Sequence, residues 1–455
     1  MSSMKMSAVA ILGIPIDNVS MREAIDIIEE QIAVGGFHQI ATVNVDFLTK
    51  SIYDDEVKEI LCRCDLVLPD GMPLVWASRW MGVALKERVT GADLVPQLAA
   101  LSAVRGYRLF LLGAEEESSA RAAAWIKSHY PGACIAGRYS PKVSSLDEMD
   151  HEDILQRIEA ARPDILLVAF GHPKQEKWLA MHRHRLNVPI CIGIGGSLDF
   201  LSGEASRAPE WMQTAGLEWV YRFLQEPKRL AKRYFDDAMC MLRYLTLQLA
   251  ATARQGRKSS VGAFTSEIRT NATVIRIEGS LSGNLESLLE NKIRNAIFSG
   301  KHVVLDASEI TYIGPDALGT LVRLVALAHR WKREIWLTGL QPIVGSLINA
   351  ARVRSQFRIA PKAADALRRI EPDPVSENLS WTQEWAYCQI GNELVPVHTS
   401  EIQDLYYQIR FLMENRSLGG HIKNGPVRVT RAAATTDARL QEKVASPDAF
   451  AEIHT

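Results

Sequence analysis

The sequence has no CxxC pair, no apolar run long enough to cross a bilayer and no excess of charge of one sign. Its six cysteines lie scattered at 62, 64, 134, 191, 240 and 388, which argues against a disulfide scaffold and against a zinc site. Cys62 and Cys64 are expected to be ordinary packing residues. The formal net charge is −1, so the chain as a whole makes no electrostatic case for nucleic acid, and any basic surface must be local. The apolar run over 8–16 is too short for a membrane span and stops at Asp17. The small-residue cleavage site of a signal peptide is missing, and a cytosolic chain is expected. Internal repeats are absent. The G-x-G-x-x-G turn of a dinucleotide site is absent too. The first strand runs into TVNVDF without a glycine, which sets aside a nicotinamide-dependent oxidoreductase.

What is present is a long alternation of strand and helix patterns. At 455 residues the chain is too long for one ordinary core, and two or three domains are expected. Strand-like runs at 39–45, 66–68, 108–112, 165–169 and 190–194 alternate with helical patterns at 21–33, 93–103, 117–128 and 154–161. Such spacing predicts a parallel α/β sheet, whose ligands bind beyond the carboxyl ends of the strands. Five post-strand segments therefore carry the most weight. They are Thr42-Val-Asn44-Val-Asp46, Pro69-Asp70-Gly71, the turn opened by Gly113, Gly171-His172-Pro173-Lys174-Gln175-Glu176, and Gly193-Ile-Gly195-Gly196-Ser197-Leu-Asp199. Their glycines admit close backbone approach, and helix starts favour phosphate. Asp70, Thr42, Asn44 and Gln175 add a carboxylate and neutral hydrogen-bonding groups at the same edge. Each signal alone is weak, and a post-strand Asp-Gly is usually just a turn; five at one edge exceed what a purely structural sheet needs. No metal constellation is evident. His182 and His184 in MHRHR are two apart and face different ways on a helix, as on a solvated surface.

The runs GHPKQEKW (171–178) and GIGGSLDFLSGEASRAPEWMQTAGLEWVYRFLQEPKRLAKRY (193–234) resemble the signature end of the WecG/TagA/CpsF glycosyltransferases. TVNVDFL (42–48), LPDGMPLVWASRWMG (68–82) and RVTGADLVPQL (88–98) resemble that family's earlier motifs, in the same order. The resemblance implies an inverting transferase that moves an N-acetylmannosamine-type sugar from UDP to a polyprenyl-diphosphate-linked acceptor in cell-surface polysaccharide or exopolysaccharide synthesis. It also implies a Rossmann-like parallel-sheet fold. Asp70 matches the catalytic base and Thr42 a catalytic polar residue beside it. Asn44, Asp46, Gly71, Gly113, Gly171, Pro173, Gln175, Glu176, Gly195, Gly196 and Asp199 are the matching substrate-binding candidates. No cofactor and no metal is implied, because arginines and backbone N–H groups can stabilise a departing diphosphate.

Residues 217–254 change character and become helical, aromatic and basic. Leu230, Tyr234, Met241, Leu245 and Leu249 recur at three- and four-residue spacing, Phe235, Met239 and Leu242 widen the stripe, and Lys228, Arg229, Lys232, Arg233 and Arg243 line its edges. A basic amphipathic helix of this kind can lie in a headgroup layer or pack on a core. The resemblance favours the membrane, at the inner face, with Arg222, Arg229 and Arg233 closing over the diphosphate. Asp236 and Asp237 read as a charged flank.

Residues 255–263 read as a linker, so the catalytic domain is placed at 8–216, the appendage at 217–254 and a second α/β domain at 264–372. In the last, VVLDASEITYIGPDALGTLVRL (303–324) resembles the core of a STAS domain. Such domains bind partner proteins, often under control of a phosphorylated serine. Gly314-Pro315 stands where that family has Asp-Ser, and proline has no hydroxyl to phosphorylate. The expected role is therefore constitutive docking to a protein or self-association through the 317–330 helix, separable from transfer. The alternative for the whole chain is a non-catalytic scaffold of polysaccharide assembly. Residues 373–455 are expected to be a tail, partly disordered, with one helix at 401–413.

Overall fold

A computed structural model describes residues 7–142, 145–255 and 262–370, together with the backbone of three short strands at 385–390, 393–398 and 429–430. In chain order the elements are β1 (Ala8–Ile11), β2 (Ile14–Asp17), α1 (Met21–Val34), β3 (His38–Val43), α2 (Val45–Tyr53), α3 (Asp55–Arg63), β4 (Leu66–Pro69), α4 (Met72–Trp80), α5 (Gly91–Arg105), β5 (Arg108–Gly113), α6 (Glu116–His129), β6 (Cys134–Tyr139), α7 (His151–Ala161), β7 (Ile165–Ala169), α8 (Lys174–His182), β8 (Ile190–Gly193), α9 (Ser197–Leu201), α10 (Glu210–Thr214), α11 (Glu218–Gln225) and α12 (Pro227–Arg254). There follow β9 (Gly262–Ile268), β10 (Ala272–Leu281), α13 (Asn284–Phe298), β11 (His302–Ile313), α14 (Pro315–Arg330), β12 (Ile335–Thr338), α15 (Pro342–Ala350), β13 (Arg358–Ala360) and α16 (Ala363–Arg369).

Local chemistry sets many of these boundaries. Ser20 and Glu23 form a reciprocal capping box at the start of α1, satisfying two otherwise orphaned N–H groups. Asn44, Asp54 and Thr90 cap α2, α3 and α5 with their side-chain oxygens. The strands β3, β4, β5, β7 and β8 are almost wholly buried apolar runs, as in a parallel sheet covered on both faces. They form a six-stranded parallel sheet in the order β4-β3-β8-β7-β5-β6. From β3 the chain builds outward to β4, then crosses over to build β5 to β7, and β8 fills the centre last. That reversal beside β3 is where an open α/β sheet takes its ligand.

The second sheet has the order β13-β12-β11-β10-β9, with β9 antiparallel and the others parallel. Pro315 occupies the first turn of α14, where its missing N–H costs nothing. Residues 5–370 fold as one compact unit. In the other unit β14 (Trp385–Ile390) pairs with β15 (Glu393–His398) and β16 (Val429–Thr430) in a three-stranded antiparallel sheet. The strand pairing of 385–390, 393–398 and 429–430 lies within the stretch expected to be a tail. The helix expected at 401–413 falls outside the described residues.

Three expectations change here. The apolar run over 8–16 is a buried hairpin of β1 and β2, not merely a short apolar stretch. The face of α14 expected to serve as a free docking surface is largely buried, and β1 and β2 lie against it. Gly319 explains the closeness of this contact, since a Cβ there would stand 2.1 Å from Ala8 O. The Arg323 guanidinium, 11% exposed, pairs with Asp17, which is fully buried, and also donates to Pro15 O and Cys64 O. Arg330 pairs with Asp65 at 2.8 Å. Finally, Gln255, placed in the linker, is buried and anchors the second domain. Its Nε2 donates to Ile313 O at 3.2 Å, and its Oε1 accepts from Ile313 N at 3.0 Å. Residues 256–261 fall outside the described residues.

Candidate active site

The segments singled out after the strands meet at the carboxyl end of the six-stranded sheet. Asp70 follows β4, and its N–H donates to Val43 O at 2.7 Å, which fixes the β4 turn against the end of β3. Gly71 adopts φ +150° and opens α4, with Asn44 Cβ 3.9 Å from where a Cβ would stand. Asp70 keeps some exposed surface but is densely enclosed. Burial pushes its pKa from 3.8 up to about 7, against the pull of Arg222 and Arg88 and with a further push from Glu218 and Asp93. Such a carboxyl group is poised to accept a proton near neutrality.

The charges around Asp70 form a network. Arg88 pairs with Glu218 at 2.6 Å and with Asp93 at 3.6 Å, and Arg207 pairs with Asp93 at 2.6 Å. Nε and Nη2 of Arg207 are buried without hydrogen-bond partners. This network ties α11 to the start of α5 and thereby sets Arg222 over the site. The guanidinium carbon of Arg222 lies 4.7 Å from the Phe200 ring centre, and its charge acts on both Asp70 and Asp199. Arg229 also acts on Asp199, but it is mostly exposed and pairs with Glu226. Arg233 is placed elsewhere, 5.3 Å from the Tyr234 ring centre and within reach of Asp237.

The other candidates divide into those lining open space and those holding the loops. Gly113, Ala114, Phe170, Lys174, Asp199 and Glu204 line a cavity of ≈ 390 Å³ beyond β5 and β7. Gly113, at φ +97°, is required there because a Cβ would meet Ala169 O at 2.8 Å. Asp199 accepts from Ser118 Oγ at 3.0 Å, and burial raises its pKa. Gln175 and Glu176 are each 1% exposed. Gln175 Oε1 accepts from Gly195 N at 3.0 Å, and its Nε2 donates to Glu176 Oε1 at 2.7 Å. They brace the Gly195–Gly196 loop from beneath. Thr42 Oγ1 donates to Gly193 O at 3.1 Å, and Asn44 Oδ1 accepts from Asp46 N and Phe47 N. Asp46 pairs with Lys50 at 2.8 Å, and Lys50 in turn donates to His172 O at 3.3 Å. Gly171 takes φ +76°, and the His172–Pro173 peptide is cis.

Residues 9–255 match the family model of the glycosyl transferase WecG/TagA/CpsF family, and residues 263–366 match that of the STAS domain. The chain belongs to the WecG/TagA/CpsF glycosyltransferase family. Over 227 residues it is 33% identical to the N-acetylglucosaminyldiphosphoundecaprenol N-acetyl-beta-D-mannosaminyltransferase of Bacillus subtilis (strain 168), covering 49% of this chain and 86% of that protein. The enzyme of the same name from Staphylococcus aureus (strain MRSA252) is 28% identical over 226 residues, covering 49% and 87%. Among solved structures, the anti-sigma factor antagonist SpoIIAA in its unphosphorylated form covers 24% of this chain and 97% of its own, at 18% identity and a TM-score of 0.21.

The candidate site also contains residues that the sequence alone does not single out. Arg88, Asp93, Arg207 and Glu218 all stand inside the motifs quoted for the family, but nothing in their spacing announces that they pair. His172 stands in the segment after β7 without a role of its own in the sequence. Its side chain is 4% exposed, Nδ1 lies 2.9 Å from Glu176 Oε2, and the ring stacks on Phe47 at 3.5 Å. Its Nε2 is buried without a hydrogen-bond partner. His182 is not on a solvated face. It packs against Trp178 and lies 3.1 Å from His151 Nδ1, and burial pulls its pKa down to about 4. Asp237 is likewise buried rather than flanking. Cys62 and Cys64 are packed in the core, where burial pushes the Cys62 thiol up to about 12.

The α12 stripe divides into two faces. Leu230 and Leu245 are buried, with Met241, Tyr244 and Leu249 partly so against the core. Phe235, Met239 and Leu242 form a separate row, each more than half exposed, with Leu224 of α11 similarly exposed. Among the described residues no helix is long and apolar enough to cross a membrane.

Proposed function

We propose that the chain transfers an N-acetylmannosamine-type sugar, an N-acetylhexosamine or its uronic acid, from UDP to a polyprenyl-diphosphate-linked sugar, in the synthesis of a cell-surface or secreted polysaccharide. Asp70 takes the proton from the acceptor hydroxyl as that oxygen bonds to the anomeric carbon. The bond to UDP breaks on the opposite face, so the anomeric configuration inverts. The observation that carries this reading is Asp70 itself, a carboxyl group with pKa raised to about 7 at the carboxyl edge of the sheet, within the field of Arg222 and Arg88. A base of ordinary carboxylate strength would recover a hydroxyl proton far less readily.

The remaining groups take supporting roles. Arg222 and Arg88 face the charge that develops on the departing diphosphate, where preorganised cations lower the barrier most. Thr42 already donates its proton to Gly193 O, so towards substrate it can only accept a hydrogen bond. Asn44 spends its oxygen on the α2 cap and keeps its NH₂ group to donate. Gln175 and Glu176 act as positioning residues, holding the Gly195–Gly196 loop. The cavity beside Gly113 and Lys174 receives part of the donor nucleotide. The exposed row of Phe235, Met239 and Leu242, with Lys228 and Lys232 on the same side of the helix, lies on the inner leaflet and brings the site to its lipid-linked acceptor. The STAS domain, docked on the catalytic domain through α14, offers its other faces to protein partners or a second copy.

The test is acceptor-dependent UDP release. Full-length protein is mixed with UDP-N-acetylmannosamine and a short polyprenyl-diphosphate N-acetylglucosamine analogue, with UDP-N-acetylglucosamine and UDP-glucose as alternative donors. Release that requires the acceptor and prefers the mannosamine donor supports the reading. Equal or greater release from UDP-glucose would remove the donor assignment.

A further inference from the structure

Three cations converge where the two α/β domains meet. α3 and the segment following α15 line an open cleft of ≈ 520 Å³, a volume in the range of small-molecule sites. Its wall sets Lys58, Arg352 and Arg354 against one carboxylate, Asp55, with Ser355 as a neutral hydrogen-bonding group and Phe357 as an apolar surface. This cavity lies outside the catalytic cleft, and none of its residues takes part in the transfer described above.

The cations are unusually placed. Lys58 is 6% exposed, and its ammonium donates to Arg352 O and to Ser355 Oγ, the latter at 3.4 Å. Both acceptors are neutral. Burial is the largest influence on Lys58 and pulls its pKa down, with Asp55 only a minor opposing charge. Arg352 holds φ +59°, a conformation that residues with a Cβ adopt at a cost. It is fixed there by a hydrogen bond from Nη2 to Ile52 O at 3.0 Å and by the Tyr244 ring, whose centre is 5.0 Å from its guanidinium carbon. Its Nε is buried with no hydrogen-bond partner. Arg354 is exposed at the rim. A buried ammonium with only neutral acceptors, beside a guanidinium with an unspent buried donor, is an arrangement that an anion stabilises.

We propose that this interdomain cavity binds a phosphate-bearing small molecule of nucleoside-phosphate size. Lys58, Arg352 and Arg354 hold the phosphate, and the apolar side of the ligand rests on Phe357. Because its walls come from both domains, the ligand binds only their docked arrangement and stabilises it by mass action.

The test titrates ADP and, separately, inorganic pyrophosphate into the full chain, read by calorimetry and by the thermal unfolding midpoint. The expected result is saturable binding of ADP with a rise in the midpoint. Arg354→Glu, a change at an exposed position, weakens that binding at least tenfold. Lys58→Met weakens it too, but it removes a buried side chain, so Arg354→Glu carries the decision. Absence of saturable binding of either probe at millimolar concentration would overturn the proposal. So would undiminished binding to the Arg354→Glu protein, which would place the anion in the catalytic cleft instead.

Discussion

Replacing Arg323 by alanine removes the positive partner of a carboxylate that has no access to water. Asp17 is fully buried, and besides Arg323 the structure gives it one hydrogen bond, from Val67 N at 2.6 Å. Breaking a buried pair from one side typically costs about 3–5 kcal/mol, because the remaining charge is left uncompensated. Here the substitution also frees the carbonyls of Pro15 and Cys64, so the upper part of that range is expected. Burial already raises the pKa of Asp17, and Arg323 is the strongest influence holding it down. In the Arg323→Ala protein the folded-state pKa rises further above its unfolded value. The stability tied to the protonated form is then lost as pH rises, so the defect is larger at pH 8 than at pH 5. Urea unfolding at both pH values measures it. Asp17→Asn combined with Arg323→Met removes both charges and is expected to recover most of the loss. A cost below about 1 kcal/mol for Arg323→Ala, against that expected for a buried pair, would show that Asp17 does not depend on this partner. So would failure of the double variant to recover stability.

The same interface predicts that a chain ending after Gln255 exposes β1, β2 and Asp17 and aggregates or loses cooperative unfolding, whereas a separable second domain would leave a well-folded, active fragment. Asp70→Asn is expected to be more stable than wild type by a margin that grows by about 1–2 kcal/mol from pH 5 to pH 8. A carboxyl raised from 3.8 to about 7 loses its folded-state advantage over that window at about 1.4 kcal/mol per unit, discounted here for partial exposure; a margin that shrinks with pH contradicts it. Changing Phe235, Met239 and Leu242 together to serine should abolish flotation with phosphatidylglycerol vesicles while leaving the unfolding midpoint nearly unchanged, since all three are largely exposed. Unaltered flotation would place the contact elsewhere. Transfer should persist in EDTA, because Arg222 and Arg88 are assigned to the leaving diphosphate; a strict need for added magnesium or manganese would show that assignment to be incomplete.

The parallel sheet was legible because its strands are short, continuous apolar runs between helical periods. β6, CIAGRY, was not, since a glycine and an arginine interrupt it and most of it is only partly buried. The β1–β2 hairpin was hidden for the opposite reason: two strands joined by Leu12-Gly13 read as one uninterrupted apolar stretch. α14 was recognised as a helix, but periodicity cannot tell a face buried in its own domain from one buried against another. In the candidate site, the post-strand motifs could be expected to share one edge of the sheet, because parallel topology brings all such turns together. The roles within it were less visible. Gln175 and Glu176 look like ligand-facing polar residues in sequence, yet both are buried braces. Arg88 and Glu218 are 130 residues apart, and only the folded chain makes them a pair.

The proposed role of Asp70 as the base of the transfer is open to test through the pH dependence of kcat/KM. With the acceptor analogue and UDP-N-acetylmannosamine, the wild-type profile should fall about tenfold per unit below a pKa near 7. In Asp70→Asn that limb should vanish and turnover should drop roughly 10²–10⁴-fold, the usual contribution of a general base. An acid limb that survives unchanged in the Asp70→Asn protein, at near-normal turnover, would rule out Asp70 as the base.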